Sequence, residues 1–208
     1  ENLFGLPPQE LMDVILLKFN TLRRHRPATK DISSAEAVEQ LREAMHIRGL
    51  AHWQVKERKS LVSRCAVARN HHLLVRAGEW FSPRDLKKLI AHEIETHIYC
   101  AENGKLQPYQ IFCRGTADIT KTQEGLAIYH QKRILGTQPR AALIAFQAAM
   151  KARTMGFRAL YQDLLSICSP NIAWSMAVRV KQGMADTGKP GACLRHALYY
   201  RGYLEICE

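Results

Sequence analysis

The sequence lacks several features that would assign it to a particular class of protein. It has no apolar run of the roughly 20 residues that a membrane-spanning helix needs, and no signal peptide is recognisable near its start. It also has no internal repeat, no low-complexity tract and no zinc-finger or aromatic–basic signature of nucleic-acid-binding modules. Its six cysteines are scattered, without a CxxC pair. These absences favour a reduced, cytoplasmic protein with no membrane span and no specific nucleic-acid partner.

Acidic residues are scarce relative to basic ones. The chain has 30 Lys and Arg against 19 Asp and Glu, a formal net charge of +11. This balance favours acidic partners, such as an acidic protein tail, although a merely basic surface is the alternative. With 208 residues and 47% hydrophobic content, the chain is long enough for a real core. We expect residues 1–50 to form an N-terminal helical segment and residues 51–208 to form the main domain.

Helix start and stop signals are frequent. A first helix is predicted after Pro7-Pro8, ending in the basic run at residues 23–27. A second is predicted from a cap at Ser33-Ser34 to Ile47, with Gly49 as its end. Most of the chain beyond residue 120 is also predicted to be helical, with an interruption near Gly156; its last segment could be helix or strand.

The middle of the chain changes character. Short β-type runs occupy residues 52–77, around Asn70-His71-His72, which is typical of a hairpin turn. Ser82, Pro83 and Asp85 then give a strong helix start, and Asn103-Gly104 is the predicted end of that helix. The predicted fold class is therefore α+β and predominantly helical, with a small β-hairpin or sheet preceding this helix.

That helix carries the sequence His92-Glu93-Ile94-Glu95-Thr96-His97. Two imidazoles can bind Zn²⁺, and a carboxylate beside the first can accept a proton from a metal-bound water. The histidines are at i and i+5, which a regular α-helix would separate by roughly 140°. Both can reach one ion only if the turn is widened, most simply by a π-bulge. The alternative is an ordinary helix whose histidines face different surroundings.

Glu124 is the candidate third ligand. It lies in Gln123-Glu124-Gly125-Leu126-Ala127, near the start of a helix predicted to begin at residues 120–122. An acid in a first turn is also favoured by the helix dipole, which is the alternative explanation. A glutamate ligand on a new helix, well after the two histidines, is nevertheless how many zinc peptidases of the zincin type are built.

HExxxH followed by QEGLA resembles the family of domains of unknown function named for its QEGLA motif. That family includes the microtubule-associated tyrosine carboxypeptidases of animals, which remove the C-terminal tyrosine of α-tubulin. The resemblance extends loosely over residues 80–206 and includes Asn103–Pro108, Arg179–Gly183 and Tyr199–Gly202. Two departures stand out: Glu95 replaces the usual Gly, and Leu194-Arg195-His196 replaces an expected Thr-Lys-Asp.

The resemblance implies a zincin-like domain with one Zn²⁺ per chain on His92, His97 and Glu124, and Glu93 as the catalytic base. A carboxypeptidase must also hold a terminal carboxylate, which requires a positioned cation. The candidate substrate-binding residues lie in the family-like C-terminal segments, and a surface position is the alternative for each: Arg179, Arg195, Tyr199, Tyr200 and Arg201.

The function predicted from these features is that of a zinc metallopeptidase. The resemblance favours a carboxypeptidase that removes a C-terminal residue, tyrosine or another aromatic, from a flexible and acidic protein tail. The alternative is a zinc-stabilised binding or regulatory module without catalytic activity, whose basic surface contacts an acidic partner. Glu93 argues against that alternative, because a purely structural zinc site needs no base.

Overall fold

The computed structural model describes residues 29–61, 63–116 and 119–208. The first predicted helix and the basic run at residues 23–27 lie outside these residues. The described chain divides into two compact units. The N-terminal unit contains the described residues of Arg24–Ile119 together with Tyr129–Thr137, and the C-terminal unit contains Thr120–Ile128 and Gln138–Glu208. The predicted division at residue 50 stays a prediction.

The N-terminal unit begins with a short strand, β1 (Ile32–Ser33), and helix α1 (Ser34–Ile47). Ser33 is the N-cap, and it forms a reciprocal capping box with Glu36, so the predicted helix start is confirmed. Gly49 follows the helix with φ of +72°, a conformation that glycine adopts without steric cost. The predicted end of this helix is therefore also confirmed.

Four further strands follow: β2 (Gln54–Arg58), β3 (Cys65–Ala68), β4 (His72–Arg76) and β5 (Trp80–Phe81). Strands β3 and β4 form an antiparallel hairpin, and β2 pairs with β4 in parallel on its other side. β1 pairs with β5 in a separate two-stranded sheet. The hairpin predicted around residues 70–72 is confirmed.

One continuous helical rod follows the strands. It consists of α2 (Pro83–Leu89), a π-helix (Ile90–Ile98) and α3 (Tyr99–Lys105), and the short α4 (Ile111–Arg114) comes next. Ser82 and Asp85 cap its start as predicted. Its end is one residue later than predicted, because Gly104 is not a stop signal. A Cβ at residue 104 would lie 2.3 Å from the Phe112 carbonyl oxygen, so the glycine permits close packing instead.

The core of the N-terminal unit lies between α1, the strands and this rod. Side chains from one face of α1 pack with alternate residues of β4 and with the π-helix. The members of this core that are fully or almost fully buried include Leu41, Met45, Leu73, Val75, Phe81, Ile94 and Ile98. The π-helix is therefore anchored by its apolar face beside the small sheet, as the sequence predicts.

The rest of the chain is helical: α5 (Ile119–Leu135), α6 (Arg140–Ala152), α7 (Phe157–Leu165), α8 (Pro170–Val180) and α9 (Arg195–Cys207). In the C-terminal unit, α6 packs against α7, α8 and α9. The interruption predicted at Gly156 is confirmed, and the last segment, left open between helix and strand, is a helix. No helix of the described residues is long and apolar enough to span a membrane.

Two packing features of the C-terminal unit involve the segments that resemble the family. Gly125 of α5 meets Gly202 of α9 so closely that a Cβ at residue 125 would lie 2.2 Å from the Gly202 carbonyl carbon. The ammonium group of Lys181, only 2% exposed, places its three N–H donors among four backbone carbonyls within 3.2 Å, those of Ala152, Met155, Lys189 and Gly191. The glycines thus permit close helix packing, and the lysine joins the end of α8 to two other segments of backbone.

The α+β, predominantly helical fold predicted from the sequence is confirmed, including the small sheet beside the HExxxH helix. The zincin-like character of the domain stays a prediction.

Candidate active site

The histidines of HExxxH lie on the π-helix, over its nine residues Ile90–Ile98. In a π-helix the hydrogen bonds join residues i and i+5, so residues five apart lie on one face. The rings of His92 and His97 are accordingly 5.0 Å apart between centroids, at an interplanar angle of 73°. The predicted widening of the helix is confirmed, and the two imidazoles converge.

Thr96 stabilises the wide turn from inside the N-terminal unit. Its buried hydroxyl donates to the backbone carbonyl of Ala91, five residues earlier, at 2.9 Å. Because this hydroxyl has one proton, its 2.9 Å contact with Nδ1 of His130 requires that His130 donate. Thr96 therefore links the widened backbone to the second half of α5, which belongs to the same unit.

Gln131, one residue further along α5, contacts a candidate ligand directly. Its side-chain amide lies 2.7 Å from Nδ1 of His92. An amide can present its N–H or, after a 180° rotation, its oxygen. Gln131 can therefore hold the His92 ring in either tautomer, including the one with a proton on Nδ1 that leaves Nε2 to bind a metal.

Glu95, the departure from the family pattern, has a partner in the described structure. Arg48, at the end of α1, donates to Glu95 Oε1 through Nε at 3.1 Å and through a terminal nitrogen at 2.5 Å. Both side chains are about one-quarter exposed. The residue that replaces Gly thus joins the π-helix to the end of α1 and leaves the apolar face undisturbed.

Glu93, the candidate general base, is 8% exposed, unlike most carboxylates at a protein surface. It lies near β3, where burial and then the charge of Glu93 raise the pKa of the Cys65 thiol. A buried carboxylate next to a candidate metal ligand is in a suitable environment for proton transfer.

Glu124 lies in the C-terminal unit, on the first half of α5, where it contacts residues of α9. Its carboxylate accepts a hydrogen bond from Tyr199, whose oxygen also accepts one from Arg195. Burial, followed by the charge of Glu124, raises the pKa of Tyr199 to about 12. The Tyr199 hydroxyl is therefore protonated at neutral pH, and its one proton is donated to Glu124. The Gly125–Gly202 contact brings these two helices together at this point.

His196 belongs to the same cluster, together with Arg179 at the end of α8. Burial, and then the positive charges of Arg179 and Arg195, lower the pKa of His196 to about 4. Its ring packs edge-on against Tyr199, at 5.6 Å between centroids. The cluster therefore combines two cations with a neutral imidazole, a protonated phenol and a carboxylate.

The other two candidate substrate-binding residues lie elsewhere. Tyr200 is 2% exposed and packs in the core against Phe146 and Tyr203. Arg201 pairs with Glu205 one turn along α9, at 3.1 Å. Of the five candidates, Tyr199 bonds to Glu124 and to Arg195, and Arg179 acts on the neighbouring His196. Tyr200 and Arg201 are not part of this cluster.

Several residues of the site were not identified from the sequence. No sequence motif surrounds Arg48, His130 or Gln131. Their partners are 34–47 residues away in the chain, so only the folded structure shows these contacts. His196 had a signal, because it lies three residues before Tyr199 and next to Arg195, on a segment that departs from the family. Residues at that spacing share one helical face.

The fold and these side chains define a helical α+β protein with paired histidines on a π-helix and a cationic cluster at a QEGLA helix. The sequence profile of the family described as microtubule-associated tyrosine carboxypeptidase matches residues 9–208. The chain belongs to that family.

Curated relatives agree with this assignment. The chain is similar to "Microtubule-associated tyrosine carboxypeptidase 1" of Mus musculus, with 33% identity over 129 residues, which is 58% of this chain and 27% of the relative. The protein of the same name from Homo sapiens matches with the same identity and coverage. The chain thus matches about a quarter of the length of these relatives.

Proposed function

We propose that this protein is a zinc-dependent carboxypeptidase that removes a C-terminal residue, tyrosine or another aromatic, from a protein tail in the cytoplasm. The observation that carries the proposal is the π-helix, which brings the imidazoles of His92 and His97 to 5.0 Å at a spacing that an α-helix could not accommodate. The family assignment supports the reaction class.

The proposed zinc ligands are His92, His97 and Glu124. Two imidazoles and a carboxylate suit Zn²⁺ and leave a fourth position for water. Helix periodicity supports Glu124: Gln131, which contacts His92, is seven residues later on α5, and residues seven apart share a face. A bound Zn²⁺ would supply Lewis acidity and lower the pKa of a coordinated water.

Glu93 is the proposed general base. It is adjacent to His92 in the chain and buried, so its carboxylate is shielded from bulk water. It would accept the proton of the attacking water and deliver it to the leaving amine. Tyr199 is protonated at neutral pH and is the proposed donor to the oxygen of the scissile carbonyl, to which its hydroxyl would turn from Glu124 when substrate binds.

Arg179 and Arg195 are the proposed residues that hold the substrate's terminal carboxylate. Charge-assisted hydrogen bonds from guanidinium groups suit a planar carboxylate. The charges of both cations act on His196, the imidazole that packs against Tyr199. The net charge of +11 would attract a flexible acidic tail, and that attraction should weaken as salt is added.

The test compares Glu93→Gln with the wild-type protein. The variant should retain about one zinc per chain by elemental analysis and lose about 10²–10⁴-fold in turnover, because the amide cannot accept the proton. Glu95→Gln is the matched control, two residues away, since its amide oxygen still accepts from Arg48.

The substrates for this assay are acidic peptides ending in Tyr, Phe or Ala, each with a free or amidated C-terminus, and the products are read by mass spectrometry. We expect cleavage of the free form alone. Equal cleavage of the amidated form would indicate an endopeptidase. Bound zinc without cleavage of any peptide would favour the non-catalytic binding module.

A further inference from the structure

A further group of side chains of the kinds that bind metal ions lies on the N-terminal unit, outside the HExxxH motif. It consists of His52, in the turn after α1, His71, in the β3–β4 turn, and Glu102, on α3. One ligand atom from each lies within 4.8 Å of the other two. Three separate segments of the unit therefore bring two imidazoles and a carboxylate together.

The distances in this group suit a small metal ion. His52 Nε2 lies 3.3 Å from Glu102 Oε1, and the rings of His52 and His71 are 5.3 Å apart. Tetrahedral Zn²⁺ with bonds of about 2.0–2.1 Å has ligand atoms about 3.3–3.4 Å apart. One pair already has this separation, and small side-chain rotations would bring the third ligand to it.

The backbone at His71 gives an independent reason to look for a role of its side chain. Asn70 and His71 both have φ of +59°, as in the two-residue turns that favour Asn-Gly. Glycine would be the less strained residue at position 71, although Asn and His adopt this conformation more readily than most residues with a Cβ. The imidazole therefore stands in the turn at a small conformational cost.

A cation already lies among the three side chains. Nζ of Lys105 is 2.6 Å from Nε2 of His71 and also contacts Oε1 of Glu102. The Lys105 side chain is 39% exposed, near the end of α3, so it can swing into solvent. The indole N–H of Trp53 donates to the same oxygen of Glu102 at 2.8 Å and would fix that carboxylate for a metal.

We propose that His52, His71 and Glu102 form a second zinc site, in which Zn²⁺ replaces the ammonium group of Lys105. The site would have three protein ligands and an open position for water. It would join the turn after α1, the hairpin and α3, so binding of the ion would add to the stability of this unit. The proposal does not depend on zinc at HExxxH, since the two sets share no residue.

The decisive variant is His71→Gly, which removes one ligand and places the favoured residue in the turn. This change relieves the backbone, and an unfolding midpoint in urea equal to that of the wild-type protein would show that a loss of metal binding comes from the missing ligand. Isothermal titration with Zn²⁺ should show one ion fewer per chain in the variant than in the wild-type protein, whatever the HExxxH motif binds. His72→Gln is the matched control, since His72 lies next in the chain and outside the group, and it should bind as many ions as the wild type.

Two further measurements test the geometry. Co²⁺ should quench the fluorescence of Trp53, whose ring lies 5.2 Å from that of His71, and the quenching should be absent in His71→Gly. Lys105→Met should bind Zn²⁺ at this site at least about ten-fold more tightly, since it removes the competing charge. Equal stoichiometry in wild type and His71→Gly would overturn the site. Unchanged affinity in Lys105→Met would overturn the displacement of the lysine.

Discussion

The two helices that carry the predicted zinc ligands differ in how their backbones are adapted. The HExxxH segment changes its own winding. The Thr96 hydroxyl bonds to Ala91 within the segment and contacts His130 outside it, and Glu95 accepts hydrogen bonds from Arg48. Helix α5 keeps its α-helical winding and instead approaches α9 at a pair of glycines. The residues near the predicted ligands therefore act on the backbone in two ways. Polar side chains stabilise the π-helix, whereas the lack of a side chain at two glycines permits the close approach of α5 and α9.

This difference predicts different responses to substitution. Hydrogen bonds can be lost singly, each with a moderate cost, because the neighbouring groups can relax or recruit water. A backbone-to-backbone contact has no such freedom, because an added methyl group must displace a main chain. Substitutions in the π-helix should therefore lower stability by small amounts that depend on the bond removed. A substitution at the glycine contact should lower stability by a large amount at once.

The largest effect is expected at the glycine contact. Gly125→Ala would place a methyl group 2.2 Å from the Gly202 carbonyl carbon, so α5 and α9 would have to separate. We expect the free energy of unfolding to fall by about 3 kcal/mol, measured by urea denaturation. Gly188→Ala is the control, since its added methyl would meet only the Asp186 side chain, at 3.1 Å. Equal stabilities of the two variants would show that a methyl group against the main chain costs no more than one against a side chain.

An intermediate effect is expected at Thr96. Thr96→Val preserves the shape of this buried side chain and removes the hydroxyl that bonds Ala91 and His130. The unfolding free energy should fall by about 1–2 kcal/mol, because the buried Ala91 carbonyl and the half-buried His130 imidazole lose a hydrogen-bond partner. Thr96→Ser keeps the hydroxyl and should recover most of the loss. A Val variant as stable as the wild type would show that the π-helix does not depend on this bond.

The smallest effect is expected for the pair between Arg48 and Glu95. Both side chains are partly exposed, so their interaction is weakened by solvent. A double-mutant cycle with alanine at each position should give a coupling of about 0.5–1 kcal/mol that decreases with added salt. A coupling near 3 kcal/mol that does not change with salt would show that the π-helix depends on this pair. It would contradict the expectation that single side-chain bonds each contribute little to the π-helix.

Local signals predicted much of this structure. The caps at Ser33 and Ser82 and the hairpin at residues 70–72 follow from residue preferences within a few positions, and the structure confirms them. The widened helix was also predictable, because two ligands at i and i+5 require it if they are to share one ion.

Other features depend on contacts between distant segments. Arg48 and Glu95 are 47 residues apart, and neither carries a local sign of the other. The role of Gly125 and Gly202 could not be predicted from the sequence either. A glycine inside a helix only indicates lower helix stability until the element packed against it is known. His196 was present in the sequence as an unexplained departure, and only the packing of α8 and α9 places it beside two arginines.

The π-helix also accommodates one additional residue in the chain. It lies in the middle of an uninterrupted helical rod, so its winding and its residue count together set the rotational phase between α2 and α3. Deleting one residue from the spacer between His92 and His97 would give the spacing of an ordinary helical turn. Five residues of a π-helix and four residues of an α-helix each complete roughly one revolution, so α3 would keep nearly the same phase after that change of winding. Ile98 would then stay in the core, and Glu102 would stay beside Trp53. This segment should therefore accept the loss of one residue, at the cost of its wide turn.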